Sequence, residues 1–147
     1  METKRMNDVM YLKTEKFEHR IVRNDFINPI SFGDDFALWL ISRLDPLRFR
    51  GFTISTPIME DYGHGFRVAY GKDRFWVALS FAELGPTEEG AHWVVTVDCE
   101  RGLNPFKRLF RKPEVKALQE LRDSIWEVIR NDPEITEFTE EQWGKLA

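Results

Sequence analysis

Residues 66–81, Phe-Arg-Val-Ala-Tyr-Gly-Lys-Asp-Arg-Phe-Trp-Val-Ala-Leu-Ser-Phe, hold the pattern that decides the fold. Phe66, Val68 and Tyr70 alternate with Arg67 and Ala69, and Phe75, Val77, Leu79 and Phe81 alternate with Trp76, Ala78 and Ser80. A period of two marks a strand with one buried face. The Gly71-Lys72-Asp73 connection is short enough to require a hairpin. The same period runs outward. Upstream, Phe52, Ile54 and Ile58 alternate with Thr53 and Ser55; downstream, Trp93, Val95, Val97 and Cys99 alternate with Val94, Thr96 and Asp98. Turns fall at Tyr62–Gly65 and Gly85–Gly90. Connections this short predict an antiparallel meander, because parallel pairing needs a long crossover.

Helical spacing appears on both sides of this block. Pro29 and Gly33 mark a turn, Asp34 or Asp35 stands where a cap is needed, and Phe36, Trp39, Leu40, Arg43 and Leu44 predict a helix over 35–44. Pro46 ends or kinks it, since proline lacks the amide and clashes with the preceding turn. Pro113 suits a first helical position. Val115, Leu118, Leu121, Ile125, Val128 and Ile129 then form an apolar stripe, and Asn131-Asp132-Pro133 stops the helix. Thr139 and Gln142 have capping-box spacing, predicting a short helix over 140–145. Phe17–Arg23 has β character and is expected as an edge strand or an extended arm. Residues 1–12 are polar and Met-rich and are expected to be flexible. The expected fold is α+β: a four- to five-stranded antiparallel meander sheet with two main helices packed on one face.

The chain has 147 residues, which suits a single domain over 1–147. Its 42% hydrophobic share is too high for disorder, and a mean hydropathy of −0.43 argues against a membrane-spanning chain. Lys and Arg total 21 against 25 Asp and Glu, a net charge of −4, which makes a nucleic-acid partner unlikely. The acidity is concentrated. Nine acids and four bases fall between Glu114 and the end, leaving residues 1–113 near +1. Such a segment suits a basic partner, although a solvated helix face has the same composition. Cys99 is the only cysteine, so neither an intrachain disulfide nor a multi-cysteine metal site can form. The first 25 residues lack a continuous apolar run, so a cytoplasmic location and no membrane contact are expected.

Three places could carry chemistry. If the strands form a meander, one sheet face presents Thr53, Ser55, Arg67, Trp76, Ser80, His92, Thr96 and Asp98, with Ala69 and Ala78 leaving room between them. An aromatic ring among small and polar neighbours is a common binding surface; a half-solvated face with Trp76 under a loop would read the same. The turn Glu60-Asp61-Tyr62-Gly63-His64-Gly65 brings two carboxylates, a phenol and an imidazole close in sequence. They could act in acid–base or metal chemistry, or Tyr62 could anchor a partner whose basic groups meet the acids; glycine-rich hairpin tips also collect acids for turn geometry alone. The basic run Arg101, Lys107, Arg108, Arg111 and Lys112, interleaved with Phe106, Leu109 and Phe110, has the composition of a nucleic-acid or membrane-surface contact or of a loop docked by its apolar residues. Nucleophile elbows, phosphate loops and dinucleotide fingerprints are all missing from the sequence.

Several blocks resemble a family of small uncharacterised bacterial proteins. These are Asn28–Leu44 (NPISFGDDFALWLISRL), Gly51-Phe52, Pro57–Gly63, the Phe75–Val77 and Trp93–Val97 strands, Arg101-Gly102, and the closing Asn131-Asp132-Pro133. The resemblance spans residues 26–138 and implies an α+β domain, without bringing an activity or a catalytic residue; the long N-terminal segment and His64 depart from it. In size, acidity and aromatic sheet face the chain is also similar to bacterial toxin immunity proteins, which act by stoichiometric binding; that likeness rests on fold and composition alone.

The leading expectation is a non-catalytic binding protein of the immunity type, with a cognate toxin as partner and no cofactor or metal. Its contact residues would be Glu60, Asp61, Tyr62, Arg67, Trp76 and Asp98, with Lys107, Arg108 and Arg111 as a separate basic contact. The alternative is a small-molecule-binding or hydrolytic domain built on Glu60, Asp61, His64 and Asp98.

Overall fold

A computed structural model describes residues 8–83, 90–100 and 115–146. In chain order its elements are β1 (Val9–Lys13), α1 (Asp34–Ser42), α2 (Asp45–Phe49), β2 (Phe52–Ile54), β3 (Ile58–Glu60), β4 (Gly63–Tyr70), β5 (Asp73–Ala82), β6 (His92–Cys99), α3 (Val115–Arg130), β7 (Thr136–Phe138) and α4 (Glu140–Gly144). The central hairpin is β4–β5, with Phe66 opposite Val77 and Tyr70 opposite Asp73. β6 continues the meander, pairing Trp93 with Phe81 and Cys99 with Phe75. Every pairing is antiparallel. The class is α+β as expected, but the sheet has seven strands rather than four or five, in the order β2-β4-β5-β6-β1-β7, with β3 also on β4.

Three local effects account for the extra strands. The run predicted over 52–58 divides into β2 and β3, both lying along the free edge of β4. Ile54 pairs with Val68 and Ile58 with Gly65, so three residues of one strand face two of the other. The surplus bulges at Ser55–Pro57, where Pro57 lacks the amide a continuous ladder would use. At the other side, the N-terminal segment is not loose. β1 lies between β6 and β7, and Met10 and Leu12 are fully buried; residues 1–7 lie outside the described residues. β7 then closes the sheet with Phe138 opposite Tyr11. Phe17–Arg23 forms no strand. Phe17 instead stacks on Phe36 at 4.3 Å, and the Glu18 carboxylate accepts the Arg20 and Ile21 amides, turning the chain locally.

The helices sit largely where periodicity puts them, with differences at the ends. α1 starts after Gly33, whose φ of 115° is in the left-handed region that favours glycine. Neither aspartate is the N-cap residue, which is Gly33: Asp34 is held by Arg23 at 2.6 Å, and Asp35, inside the first turn, accepts the Phe36 amide at 2.9 Å and the Glu18 amide at 2.8 Å. Pro46 ends nothing; it opens α2, where a missing amide is harmless. α3 stops at Arg130 as predicted, and Thr139 and Gln142 form both bonds of the capping box that starts α4. Pro113 lies outside the described residues.

One face of the sheet, carrying Phe66, Val68, Phe75, Val77, Leu79, Trp93, Val95 and Val97 with Met10 and Leu12, shares a single core with α1, α2 and α3. Phe36, Ala37 and Leu40 enter from α1, Leu47 from α2, and Leu121, Ile125, Trp126 and Ile129 from α3. Among the described residues the other face is covered at its β1–β7 end, where Trp143 of α4 stacks on Tyr11 at 5.0 Å and approaches His92 and Phe138. Among the described residues no helix is long and apolar enough to cross a membrane.

Candidate functional site: the half-open sheet face

Alternation along β4, β5 and β6 sends Gly63, Gly65, Arg67, Trp76, Ala78, Ser80, Thr96 and Asp98 to the face away from the core. Trp76 stands at its centre, with Arg67 directly across on one neighbouring strand and Asp98 on the other. Its ring lies over Gly65, where a Cβ would overlap the indole and approach the Val77 carbonyl to 2.8 Å. A glycine at that spot lets the large ring lie low on the sheet instead of standing out from it.

The indole is fixed at its polar edge. Its Nε1–H donates to the Tyr62 hydroxyl at 3.0 Å. Arg67 reaches across β5 to Glu100, donating from Nε at 2.7 Å and from Nη2 at 2.9 Å. Glu100 is itself tied down by its amide, which donates to the Arg74 carbonyl at 2.8 Å. A bidentate Arg–carboxylate pair of this kind holds geometry better than a single contact. Burial raises the Tyr62 phenol above its ordinary 10.0, the bond from Trp76 opposes that, and the negative charges of Glu60 and Asp61 push it further up.

The β3–β4 turn places those acids. Its backbone is clamped from outside the sheet: the Ser31 hydroxyl donates to the Glu60 carbonyl at 2.8 Å, and the Asn28 amide donates to that of Asp61 at 3.3 Å. Asp61 and Asp98 are exposed and Glu60 is half-buried. Asp98 lies 3.7 Å from Arg122, a buried α3 arginine that donates to the Val97 carbonyl at 2.8 Å.

The expected residues are therefore divided. Tyr62, Arg67, Trp76 and Asp98 share one surface with Glu60 at its edge, but Arg67 is engaged by Glu100. His64 falls on the opposite, core face, buried, with Nδ1 3.2 Å from the Phe32 carbonyl. Asp98 and Glu60 lie three strand spacings apart, roughly 14 Å across the sheet, and are offset by four residues along it as well. Glu60, Asp61, His64 and Asp98 thus do not line one cavity. His92, expected on the open face, is buried beneath α4. Lys107, Arg108 and Arg111 lie outside the described residues. Gly65, expected in a turn over Tyr62–Gly65, lies inside β4, because the chain reverses already at Asp61–Tyr62; Glu100 was not expected here, yet it lies two residues beyond Asp98, where alternation places it on this face. Among the described residues no three His, Cys, Asp or Glu side chains come together. A groove of about 720 Å³ between α1–α2 and α3 is lined by opposed charges, Arg43 and Arg50 against Glu120, Asp123 and Glu127, and Arg50 pairs with Glu120 across it.

Comparison of the chain with protein-family models, with curated proteins and with solved structures finds no match in any of the three.

Proposed function

We propose that this chain is a non-catalytic binding protein of the immunity type, which neutralises a cognate bacterial toxin by covering it with the Trp76 face. The observation that carries the reading is the immobilised indole: Trp76 is part-exposed, yet held by Tyr62 at its polar edge and seated over Gly65. A ring fixed before contact loses little entropy on binding, the condition under which aromatic residues dominate interfaces. Glu60, Asp61 and Asp98 around it favour a basic partner and would act mainly on association rate and specificity.

The test is co-expression with proteins encoded beside it. A one-to-one complex with a toxin domain, loss of that toxin's activity in the complex, and weakening on Trp76→Ala are the expected results. If no neighbouring product binds, or if binding is indifferent to Trp76, the reading falls.

A further inference from the structure

From this same face we infer the chemistry of the partner's anchor: Trp76 receives a cationic side chain, arginine or lysine, from a basic partner and does not itself insert into a partner pocket. This rests on the binding reading above and goes beyond it in assigning which side supplies the protruding group.

The first argument is geometric. An inserting tryptophan must stand out from its surface, whereas this indole lies over Gly65, where a Cβ would collide with it. The second is hydrogen-bonding capacity. The only polar atom of the ring, Nε1–H, is consumed by the Tyr62 hydroxyl, so the ring itself offers a partner its π system and no donor, the Tyr62 O–H proton lying at its edge. An aromatic face without a free donor suits an apolar group or a cation.

Charge decides between those two. Among the described residues of the open face near Trp76, Arg67 is neutralised by Glu100, and Arg74 points its guanidinium at the Gly71 and Asp73 carbonyls, each 3.2 Å away. Against these stand Glu60 and Asp61 at the turn and, opposite Trp76 in register, Asp98, an exposed carboxylate whose Oδ1 accepts the Cys99 amide at 2.9 Å and lies 3.7 Å from Arg122. An apolar anchor gains nothing from this acidic rim, while a cation on the ring is attracted by it as well as by the π system. The Arg67–Glu100 bridge has a further effect: it keeps Arg67 from occupying the ring itself.

The test uses the full chain, ¹⁵N-labelled, with capped peptides alternating glycine with arginine, lysine, citrulline or leucine as probes. The Trp76 indole N–H resonance is identified by its loss in Trp76→Phe. The arginine or lysine peptide is expected to give saturable shifts at that resonance and at the Gly65 and Asp98 amides. Neutral citrulline, nearly isosteric with arginine, is expected to bind about 3- to 30-fold more weakly. Asp98→Asn is expected to weaken the cationic peptides without changing the leucine one. Equal affinity for citrulline or leucine overturns the inference while leaving a binding surface in place. Saturable shifts that appear only away from Trp76, or none with either cationic peptide, also overturn it. The co-expression experiment reads the binding function independently, so the two can fail separately.

Discussion

Gly65 and Trp76 are a single structural unit, and neither residue alone reveals it. Gly65→Ala would drive a Cβ into the indole and against the Val77 carbonyl. Overpacking of this kind costs about 1–3 kcal/mol. Urea unfolding checks that figure, and an unchanged midpoint would mean the ring does not rest on the glycine. Tyr62→Phe leaves the indole N–H without its partner, a loss of about 1 kcal/mol. The same variant tests the phenol. Burial holds Tyr62 above 10.0, so the folded chain favours the neutral form. That contribution is fully present below 10.0 and is lost as pH rises through the elevated folded value. Phenolate absorbance of the wild type minus that of Tyr62→Phe should therefore show a component titrating above 10.0; a midpoint at or below it would contradict the buried placement. At this scale Trp76 and Arg67 could be assigned to the outer face by alternation, whereas the contacts that immobilise them join positions 14 and 33 residues apart.

Elements differ in how plainly periodicity announces them. β4, β5 and β6 have one face on the core and the other largely open, so hydrophobic and polar residues alternate and the meander is legible. β1 is covered on both faces. Met10 and Leu12 enter the core while Tyr11 lies under Trp143, so the strand reads as an unbroken Val-Met-Tyr-Leu run without a period. Leu12→Ala should accordingly cost about 2–5 kcal/mol, the range for a buried leucine, measured by the same denaturation. A cost near zero would return the segment to the loose state its composition suggests. α4 is the opposite case, a helix legible from its capping box alone. Thr139→Ala removes that cap and should cost about 1 kcal/mol, with faster amide exchange confined to 140–144. Exchange spread over the whole sheet would instead make α4 an integral part of the core.

Across the whole molecule the acidic C-terminal quarter does not form one patch. Lys16 bonds Asp132 at 2.7 Å and Glu134 at 3.2 Å, Arg130 holds Glu137 through two bonds, and Arg50 takes Glu120. The Lys16 contacts also tie the loop after β1 to the turn after α3, joining the two ends of the described chain. Burial works to raise the Asp132 carboxyl, but the Lys16 ammonium and the Glu134 amide outweigh it and hold the group below its ordinary 3.8. Asp34 is lowered likewise, by Arg23 against the effect of burial. A depressed carboxyl contributes stability that is present above its unfolded pKa and lost as pH falls through the folded one. These two pairs should therefore leave stability unchanged through neutral pH and, on the acid side, weaken it below about 3.8. Asp132→Asn should flatten that acid limb, as read by denaturation across pH; an unaltered limb would show the Lys16 pair to be inconsequential.

Local pattern, taken alone, was enough to establish an antiparallel meander, an amphipathic covering helix and a capped terminal turn. Each depends on residues within a few positions of one another, where alternation and capping chemistry operate. The insertion of β1 between β6 and β7, the bulge that lays β2 and β3 on one edge, and the burial of His64 away from its acidic neighbours were decided by tertiary structure. They depend on which faces become covered, and coverage is a property of distant segments meeting. The Trp76 surface belongs to both levels: alternation placed the ring outside the core, and only its packing over Gly65 and its bond to Tyr62 fixed its orientation.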